Sequence, residues 1–403
     1  MNDPTPRPVT RRSLLLGAAA LPAGAALAGC TTPAASAADV LTAADLPLAP
    51  GTPYPLVALP GKAPLGQVYD RPPNYETPAG HLIGQRNYPY TDNEYYYVRY
   101  REAEVMTLGR EEYRLTIGGD AVTRELSLSF ADLDGRADTT IGAVGMCTGL
   151  GAGLHRPPIP VMPWTKGDMS CAEWTGVRLS DLLAEAGITD AAQNLSFEGG
   201  RVISLAKPQY WRSYPAAELL ETDSILATRM NGQELNFWNG FPVRLVVPGS
   251  YAPPWVKQLV RIEARSTPHP MEWSGRDITL NKLKVFSMIT TPTDGTRIPL
   301  GATVELVGEA HDDGTGITAV ETSMDDGATW RPAQLEEPVA KYAWRVFRTR
   351  VTFPTPGEQR VLTRATNAMG QVQELDVSAD VVKNGARKET ASRLFAAVYE
   401  VQP

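Results

Sequence analysis

Hydrophobic and polar positions alternate over short stretches of this chain, and the pattern predicts strands more often than helices. EEYRLTIGG (residues 111–119) alternates and ends in a Gly-Gly turn, and YYYVRYREAEVM (95–106) is a second predicted strand. NGFPVRLVVPGSY (239–251) is an apolar strand between turn residues. Two short helices are predicted, at LSLSFADL (126–133) and TGVRLSDLLAEAGI (175–188).

The pattern changes after residue 283, where short apolar stretches follow one another at a spacing of roughly ten residues. Gly, Asp and Pro separate them, and the two Asp-Asp-Gly triplets are interpreted as hairpin turns rather than calcium loops. This regular alternation is typical of an immunoglobulin-like sandwich. The chain is therefore predicted to be α+β, with a mixed α/β domain at 54–280, an all-β immunoglobulin-like sandwich at 281–385 and a C-terminal segment at 386–403.

The first 30 residues have the features of an export signal rather than of a folded element. Arg11 and Arg12 precede an apolar run that is interrupted by Pro22 and ends at Leu-Ala-Gly-Cys, residues 27–30. The segment resembles a twin-arginine signal followed by a lipoprotein box. It implies export to the periplasm or cell envelope and a lipid anchor at Cys30. Residues 31–53 are rich in Ala and Pro and are predicted to be a linker.

Composition narrows the classes of function. The chain has 38 Lys and Arg against 45 Asp and Glu, a net charge of −7, and no basic block that would favour a nucleic-acid partner. It contains no Cys-x-x-Cys-His sequence, so no covalently attached haem is expected. Apart from Cys30, only Cys147 and Cys171 are present. They either form one disulfide or leave at least one thiol for chemistry.

The stretch GAVGMCTGLGAGLHRPP (142–158) carries the candidate chemistry. Its glycines superficially resemble a dinucleotide-binding loop, but such a loop must open a helix, and the prolines that begin at Pro157 exclude one. None of the four histidines is spaced from another like a zinc ligand. Cys147 and His155 would form a nucleophile–base pair only if the fold brings them together. At this point the role of the thiol stays open.

Five segments, in order along the chain, resemble the sulfite oxidase family of molybdopterin enzymes. They are YYYVRYRE (95–102), MCTG (146–149), PWTKGDMSCAEWTGVRLSDLL (163–183), MNGQELNFWNGFPVRLVVPGSYAPPWVKQLVRIE (230–263) and the C-terminal strands around VETSMDDGATWRPAQL (320–335). The resemblance implies a sulfite-oxidase-like molybdopterin domain followed by the family's dimerisation domain, and hence a homodimer.

By this resemblance, Cys147 is the protein ligand of molybdenum, and its thiolate completes the sulfur set of the pterin dithiolene. Arg99 is implied to grip an oxyanion substrate. The resemblance implies cofactor contacts for residues of three further segments: Tyr97, Val98, Arg99, Asn239, Arg244, Trp255, Val256 and Lys257. Cys171 is expected to be a buried apolar residue.

Some positions depart from the family's pattern near the substrate. Arg101 stands where sulfite-oxidising relatives tend to have histidine, and Asn239 also replaces a histidine that many relatives have. Residues 150–152 (Leu-Gly-Ala) occupy the place of the Asn and Arg that usually follow the cysteine. Arg156 is interpreted as a substitute from a longer loop. The predicted catalytic set is Arg99, Cys147, Arg101 and Arg156.

The resemblance thus implies an exported molybdenum oxidoreductase that transfers an oxygen atom to or from a small oxyanion, with sulfite as the expected substrate. Because no haem motif is present, the electrons are expected to pass to a separate protein such as a cytochrome c. Three alternatives remain: a sulfane dehydrogenase, a nitrate-reducing relative and a non-catalytic tethered binding protein.

Overall fold

The computed structural model describes residues 40–80, 86–101, 107–154, 161–200, 211–267, 280–374 and 395–403. The predicted export signal with Cys30 and the predicted substrate residue Arg156 lie outside these residues. No helix in the described ranges is long and apolar enough to cross a membrane.

Short strands make up most of the regular structure. Those before residue 280 are β1 (Val40–Leu41), β2 (Leu56–Ala58), β3 (Pro64–Tyr69), β4 (Asn74–Glu76), β5 (Val98–Arg99), β6 (Arg114–Gly118), β7 (Leu126–Ser129), β8 (Thr139–Met146), β9 (Met169–Arg178), β10 (Asn194–Gly199), β11 (Trp211–Pro215), β12 (Ile225–Met230), β13 (Gln233–Glu234), β14 (Arg244–Val246) and β15 (Leu259–Arg265). The strands that follow are β16 (Phe286–Thr291), β17 (Arg297–Pro299), β18 (Thr303–His311), β19 (Ile317–Ser323), β20 (Arg331–Pro332), β21 (Gln334–Leu335), β22 (Arg345–Thr352), β23 (Gly357–Asn367) and β24 (Ala397–Gln402). The helices are α1 (Phe130–Asp134), α2 (Leu179–Glu185) and α3 (Ala216–Leu220), and 3-10 turns occur at Ala43–Asp45, Ala152–Leu154 and Phe237–Asn239.

Three sheets build the N-terminal domain. The first is antiparallel, in the order β2-β3-β4-β5. The second has the order β11-β10-β15-β6-β7, with β15 and β6 parallel, and the third has the order β13-β12-β9-β8 with β14 also paired to β12. The largest apolar core is shared by the second and third sheets, through side chains such as Leu115, Phe197, Trp174 and Leu226. This arrangement confirms the predicted mixed α/β domain.

The helix predicted at 126–133 is only partly helical. Its first four residues form β7, because its two leucines alternate with an exposed serine and fill the core. The helix begins after Ser129, whose Oγ accepts a hydrogen bond from Asp132 N at 3.1 Å, while the Asp132 carboxylate accepts one from Ser129 N. Similarly, β9 continues through Arg178, so α2 is shorter than the predicted second helix.

The predicted strands differ in how far they extend. The strand predicted at 111–119 is confirmed as β6, and the apolar strand predicted at 239–251 is confirmed as the shorter, wholly buried β14. Of the strand predicted at 95–106, only β5 is a strand in the described residues, and 102–106 lie outside them.

The C-terminal domain is all-β, as predicted. One sheet has the order β1-β18-β22-β21 with β16 also paired to β18, and the other has the order β17-β24-β23-β19-β20. Both sheets contribute to one apolar core, for example Leu306 and Phe347 from the first and Val320 and Tyr399 from the second. The domain is therefore a two-sheet structure with its core between strands that are distant in sequence.

Two segments predicted to lie outside this sandwich are part of it. In the predicted linker 31–53, β1 pairs in parallel with β18, and Leu46 is buried in the sandwich core. In the predicted C-terminal segment, β24 lies between β17 and β23. In the first case, backbone pairing at a sheet and burial of apolar side chains override a composition typical of a linker.

The two domains share a further apolar cluster behind strand β8. It contains Val144 and Met146 of that strand together with Phe286, Trp344 and Phe395. Polar contacts hold the same junction: Val144 N donates to Tyr342 O at 3.0 Å, and Trp344 Nε1 donates to Pro89 O at 2.7 Å. The strand that leads into the glycine-rich loop is therefore backed by the C-terminal domain.

The glycine-rich loop itself packs against the last segment of the chain. Gly151 has a φ of +75°, and a Cβ at this position would lie 2.0 Å from the ring of Phe395. Only glycine meets both the left-handed backbone and the close approach of that ring.

We therefore expect Gly151→Ala to lower the free energy of unfolding more than Gly301→Ala. Gly301 has a similar φ of +78° but no atom within 4 Å of its Cβ position. The control should lose about 1 kcal/mol from backbone strain alone. The Gly151 variant should lose about 1–3 kcal/mol more from overpacking. Urea unfolding of both variants measures the difference, and equal losses would contradict the packing of Phe395 on the loop.

Candidate active site

Cys147 follows the last residue of β8 and begins the glycine-rich loop. Cys147 N donates to Asp168 O at 3.1 Å, just before β9, and Leu150 N donates to Cys147 O at 3.3 Å. Gly149 N approaches Sγ to 3.5 Å. These contacts fix the loop, and Cys147 as a whole residue is partly exposed.

No disulfide joins the two cysteines. Both Cys147 and Cys171 are free, and Cys171 is wholly buried in the apolar cluster behind β8. The disulfide alternative is therefore wrong, and the prediction of a buried, apolar Cys171 is confirmed. Of the two, only Cys147 is placed to react or to bind a metal.

The protein environment alone disfavours the thiolate of Cys147. Burial, with help from the nearby Asp168 carboxyl, raises the pKa of the thiol to about 12, and Arg99 and the Gly149 N–H offset this only in part. A bound cationic metal would supply the missing stabilisation of the thiolate. The pKa shift is thus compatible with a metal ligand and unfavourable for a free nucleophile.

Asp168 was not predicted by the sequence analysis. It is wholly buried, and neither carboxyl oxygen has a partner of normal hydrogen-bond geometry. Burial and the neighbouring Glu76 raise its pKa well above the usual range, whereas the Cys147 thiol and Arg99 oppose that shift. A single acidic residue before a strand gives no local signal, because its proximity to Cys147 arises from the pairing of β8 with β9.

Arg99, at the end of β5, lies near enough to Cys147 for its charge to lower the pKa of that thiol. Its Nη1 donates to Tyr100 O, and its carbonyl accepts a hydrogen bond from Lys257 Nζ at 3.2 Å. Arg101 follows just beyond the strand and is partly exposed. The structure thus brings Arg99 to the thiol, while Arg156 falls outside the described residues.

Arg244 is 4% exposed and lies on β14 between two aromatic rings. Its guanidinium carbon is 4.7 Å from the centre of the Trp174 ring and 5.6 Å from that of Trp255. Nη1 donates to Asn239 O at 2.9 Å and Nη2 to Trp255 O at 3.4 Å, while Nε has no partner. Burial lowers the pKa of this arginine. Stacking and carbonyl contacts hold the side chain without a carboxylate.

Asn239 ends the 3-10 turn that precedes Gly240. Asn236 Oδ1 accepts a hydrogen bond from Asn239 N at 2.9 Å and fixes the turn. The Asn239 side chain is wholly buried; Oδ1 accepts a hydrogen bond from Lys62 Nζ at 2.6 Å, and Nδ2 has no partner. Lys62 was also not predicted, because it lies in an isolated loop about 180 residues earlier in the sequence.

Lys257 completes the group of cations. Nζ donates to Trp238 O at 2.6 Å and lies 4.0 Å from the centre of the Tyr100 ring. Its pKa is well below the usual range, first because of burial and then because of the charges of Arg244, Lys62 and Arg99. Three separate segments therefore bring four positive side chains together. These are Lys257 and the three whose charges lower its pKa, namely Lys62, Arg99 and Arg244.

Gly240 permits this close packing. It has a φ of +113°, and a Cβ there would lie 2.9 Å from Arg244 Cβ and 3.3 Å from Lys257 Cβ. The Asn-Gly-Phe-Pro-Val-Arg sequence thus needs its glycine to bring the asparagine, arginine and lysine together.

The remaining predicted residues divide by location. Tyr97 is buried, and its pKa lies well above the usual range because of burial, with Tyr96, Cys147 and Asp168 adding to the effect. Its phenol is thus near the thiol. Val98 and Val256 are wholly buried in apolar cores, so their side chains do not face the candidate site and only their backbones could contact a ligand.

The arrangement fits a cofactor that brings most of its own metal ligands. In the part of the chain that the structure describes, no group of three or more His, Cys, Asp or Glu residues could hold a metal ion. A lone thiol therefore suits a metal already bound by an organic sulfur ligand. The unpartnered donors Asn239 Nδ2 and Arg244 Nε suit the polar, anionic remainder of such a cofactor.

Comparisons with known proteins agree with this geometry. The family model of the oxidoreductase molybdopterin binding domain matches residues 102–273, and that of the Mo-co oxidoreductase dimerisation domain matches residues 277–383. Mitochondrial sulfite oxidase of Rattus norvegicus is 30% identical over 68% of this chain and 54% of its own length. The NAD(P)H nitrate reductase of Hordeum vulgare is 31% identical over 43% of this chain and 24% of its own length.

A solved structure is similar to this chain over a larger share of its length. The sulfane dehydrogenase SoxCD of Paracoccus pantotrophus has a TM-score of 0.68 and 25% identity, and the similarity covers 82% of this chain and 87% of that chain. The present chain spans about half the length of the rat enzyme. With two domain models matched in order and these relatives in agreement, the chain belongs to the sulfite oxidase family of molybdopterin-dependent oxidoreductases.

Proposed function

We propose that the chain is an exported molybdenum oxidoreductase that transfers an oxygen atom to or from a small oxyanion, with sulfite as the first candidate substrate. The observation that carries this proposal is the position of the free thiol of Cys147, a partly exposed residue, beside Arg99 and a cluster of buried cations. The fold and the family models of a molybdopterin enzyme support it.

The protein residues divide the work of binding. Cys147 would hold the metal, and Asn239, Arg244 and Lys257 would hold the pterin and its phosphate. The bound cofactor supplies two-electron oxygen-atom transfer. Arg99 would orient an anion near the metal through charge and hydrogen bonds. For sulfite, the complete reaction takes one oxygen from water, forms sulfate and releases two protons and two electrons.

The electrons need an acceptor, and we propose a separate protein such as a cytochrome c. Export by the twin-arginine route to the periplasm or cell envelope, lipid attachment at Cys30 and the absence of haem belong to the same proposal. The match to a dimerisation domain supports a homodimer. These features describe an enzyme that acts outside the cytosol and passes electrons to a soluble or membrane-associated partner.

Oxidation of a sulfane sulfur is the second candidate. The similarity to a sulfane dehydrogenase over most of both chains favours it, as does the replacement of the usual Asn and Arg after Cys147. A screen of sulfite, thiosulfate and nitrate with a one-electron dye separates the candidates. Cofactor-loaded protein without turnover of any of these would instead favour the non-catalytic binding protein.

Cys147→Ser should abolish most molybdenum binding, because a serine hydroxyl is a poor substitute for the soft thiolate. The protein should be made in a host that produces the cofactor, and molybdenum should be measured by elemental analysis. Cys171→Ser is the matched control, since that buried thiol lies in an apolar cluster, and it should keep its molybdenum. Wild-type protein without metal would refute the proposed function.

Arg99→Ala should raise the KM for an anionic substrate about ten- to hundredfold, because hydrogen bonds to a charged group contribute about 1.5–3 kcal/mol. Arg99→Lys should recover part of this loss, since it keeps the charge but not the bidentate geometry. Steady-state kinetics with the substrate identified in the screen measures both. An unchanged KM in the alanine variant would remove Arg99 from the substrate site.

A further inference from the structure

Lys62 is a buried lysine outside every segment that identifies the family. It lies in the loop before β3 and is 7% exposed. Its ammonium group donates to three oxygens: Asn93 O at 2.6 Å, Tyr96 O at 2.9 Å and Asn239 Oδ1 at 2.6 Å. Because an ammonium has three donors, this side chain is fully occupied by the protein.

The contact with Asn239 determines which end of that amide is available. Oδ1 must face Lys62, because the reversed amide would set its NH₂ group against the donors of the ammonium. Nδ2 is then left as a donor, and it is buried without a partner. A buried donor without a partner destabilises the protein, and a ligand that accepts its hydrogen bond removes this cost.

Lys62 also adds charge to the same region. Lys62, Arg244 and Lys257 donate, in the contacts given above, only to uncharged carbonyl or amide oxygens. Burial lowers the pKa of Lys62 well below its usual range; the charge of Arg244 adds to this, and the charge of Glu94 opposes it. Burial also lowers the pKa of Lys257, with the charges of Arg244 and Lys62 adding to the effect. Among the described residues, no carboxylate acts on the pKa of Arg244 or Lys257, so an anionic ligand would offset the cost of burying their charges.

We propose that Lys62 is a cofactor-positioning residue, which holds Asn239 as a hydrogen-bond donor and contributes a third positive charge, with Arg244 and Lys257, to the site for the cofactor's phosphate. This inference rests on the proposed function, because it assumes that the pterin cofactor is the anion. Asn239 would touch the cofactor directly, and Lys62 would act through Asn239 and through its charge.

A purely structural role is the competing explanation, since Lys62 also ties two backbone carbonyls together. The test therefore compares Lys62→Met with Lys166→Met. Lys166 is the matched control because it is equally buried, at 6% exposed, and its ammonium faces the C-terminal domain, at 2.7 Å from Asp294 Oδ2. Both variants lose a buried ammonium group, but only Lys62→Met removes one that lies beside Arg244 and Lys257.

The experiment measures the pterin and molybdenum content per folded chain, together with the melting temperature of the cofactor-free protein. Lys62→Met should lower the cofactor content at least about fivefold, a difference of about 1 kcal/mol, while Lys166→Met keeps it. Lys62→Gln, which can donate to Asn239 without the charge, should recover part of the content. The double variant Lys62→Met/Asn239→Ala should lose less than the product of the two single losses, because the two side chains act together.

Several outcomes would overturn the inference. Undiminished cofactor in Lys62→Met, an equal loss in Lys166→Met, or fully multiplicative losses in the double variant would each leave Lys62 as a structural residue only. If Lys62→Met fails to fold, Lys62→Gln and the double-variant comparison built on it decide the question. Failure of the proposed function looks different, because the wild-type chain itself would then hold neither pterin nor molybdenum.

Discussion

The structure of this site depends on keeping several positive charges buried with no carboxylate hydrogen-bonded to them among the described residues. Arg244 shows how this is achieved: two tryptophan rings cover its faces, and backbone carbonyls accept its Nη hydrogen bonds. Carbonyls and rings reduce the cost of burial without cancelling the charge. A salt bridge would have cancelled much of the positive potential. Without one, that potential is available to a ligand.

The position of the thiol depends on a different part of the fold. Cys147 is carried to the edge of the site by β8, which pairs with β9 on one side and is backed by the C-terminal domain. Phe395, from the last segment of the chain, then presses on Gly151 of the same loop. The C-terminal domain thus supports the strand and the loop that hold the candidate metal ligand.

Local pattern was sufficient where the chemistry lies within one segment. The Asn-Gly-Phe-Pro-Val-Arg block predicts a tight turn before a buried strand, and the structure shows why: Gly240 lets Arg244 and Lys257 pack together. The sequence pattern did not predict contacts between residues from distant segments. No local pattern singles out Lys62 or Asp168. The pairing of β8 with β9 brings Asp168 to Cys147, and hydrogen bonds to Asn93 O and Tyr96 O hold Lys62 beside Asn239. The helix predicted at 126–133 was placed too early in the sequence. Its N-cap is Ser129, inside the predicted range, and the residues before Ser129 form a strand.

The charges around the site are also unevenly distributed, and this bears on the substrate. Among the described residues, the side chains of Asn239 and Arg244 contact the Lys62 ammonium, backbone carbonyls and aromatic rings, although the charge of Glu94 opposes the lowering of the pKa of Lys62. Near the thiol, Arg99 is accompanied by the Asp168 carboxyl, whose raised pKa favours the protonated form. A protonated carboxyl removes the repulsion that an oxyanion would otherwise meet and can donate a hydrogen bond to it. Under the proposed function, Arg99 would therefore attract an anion towards Cys147 even with an acid beside it.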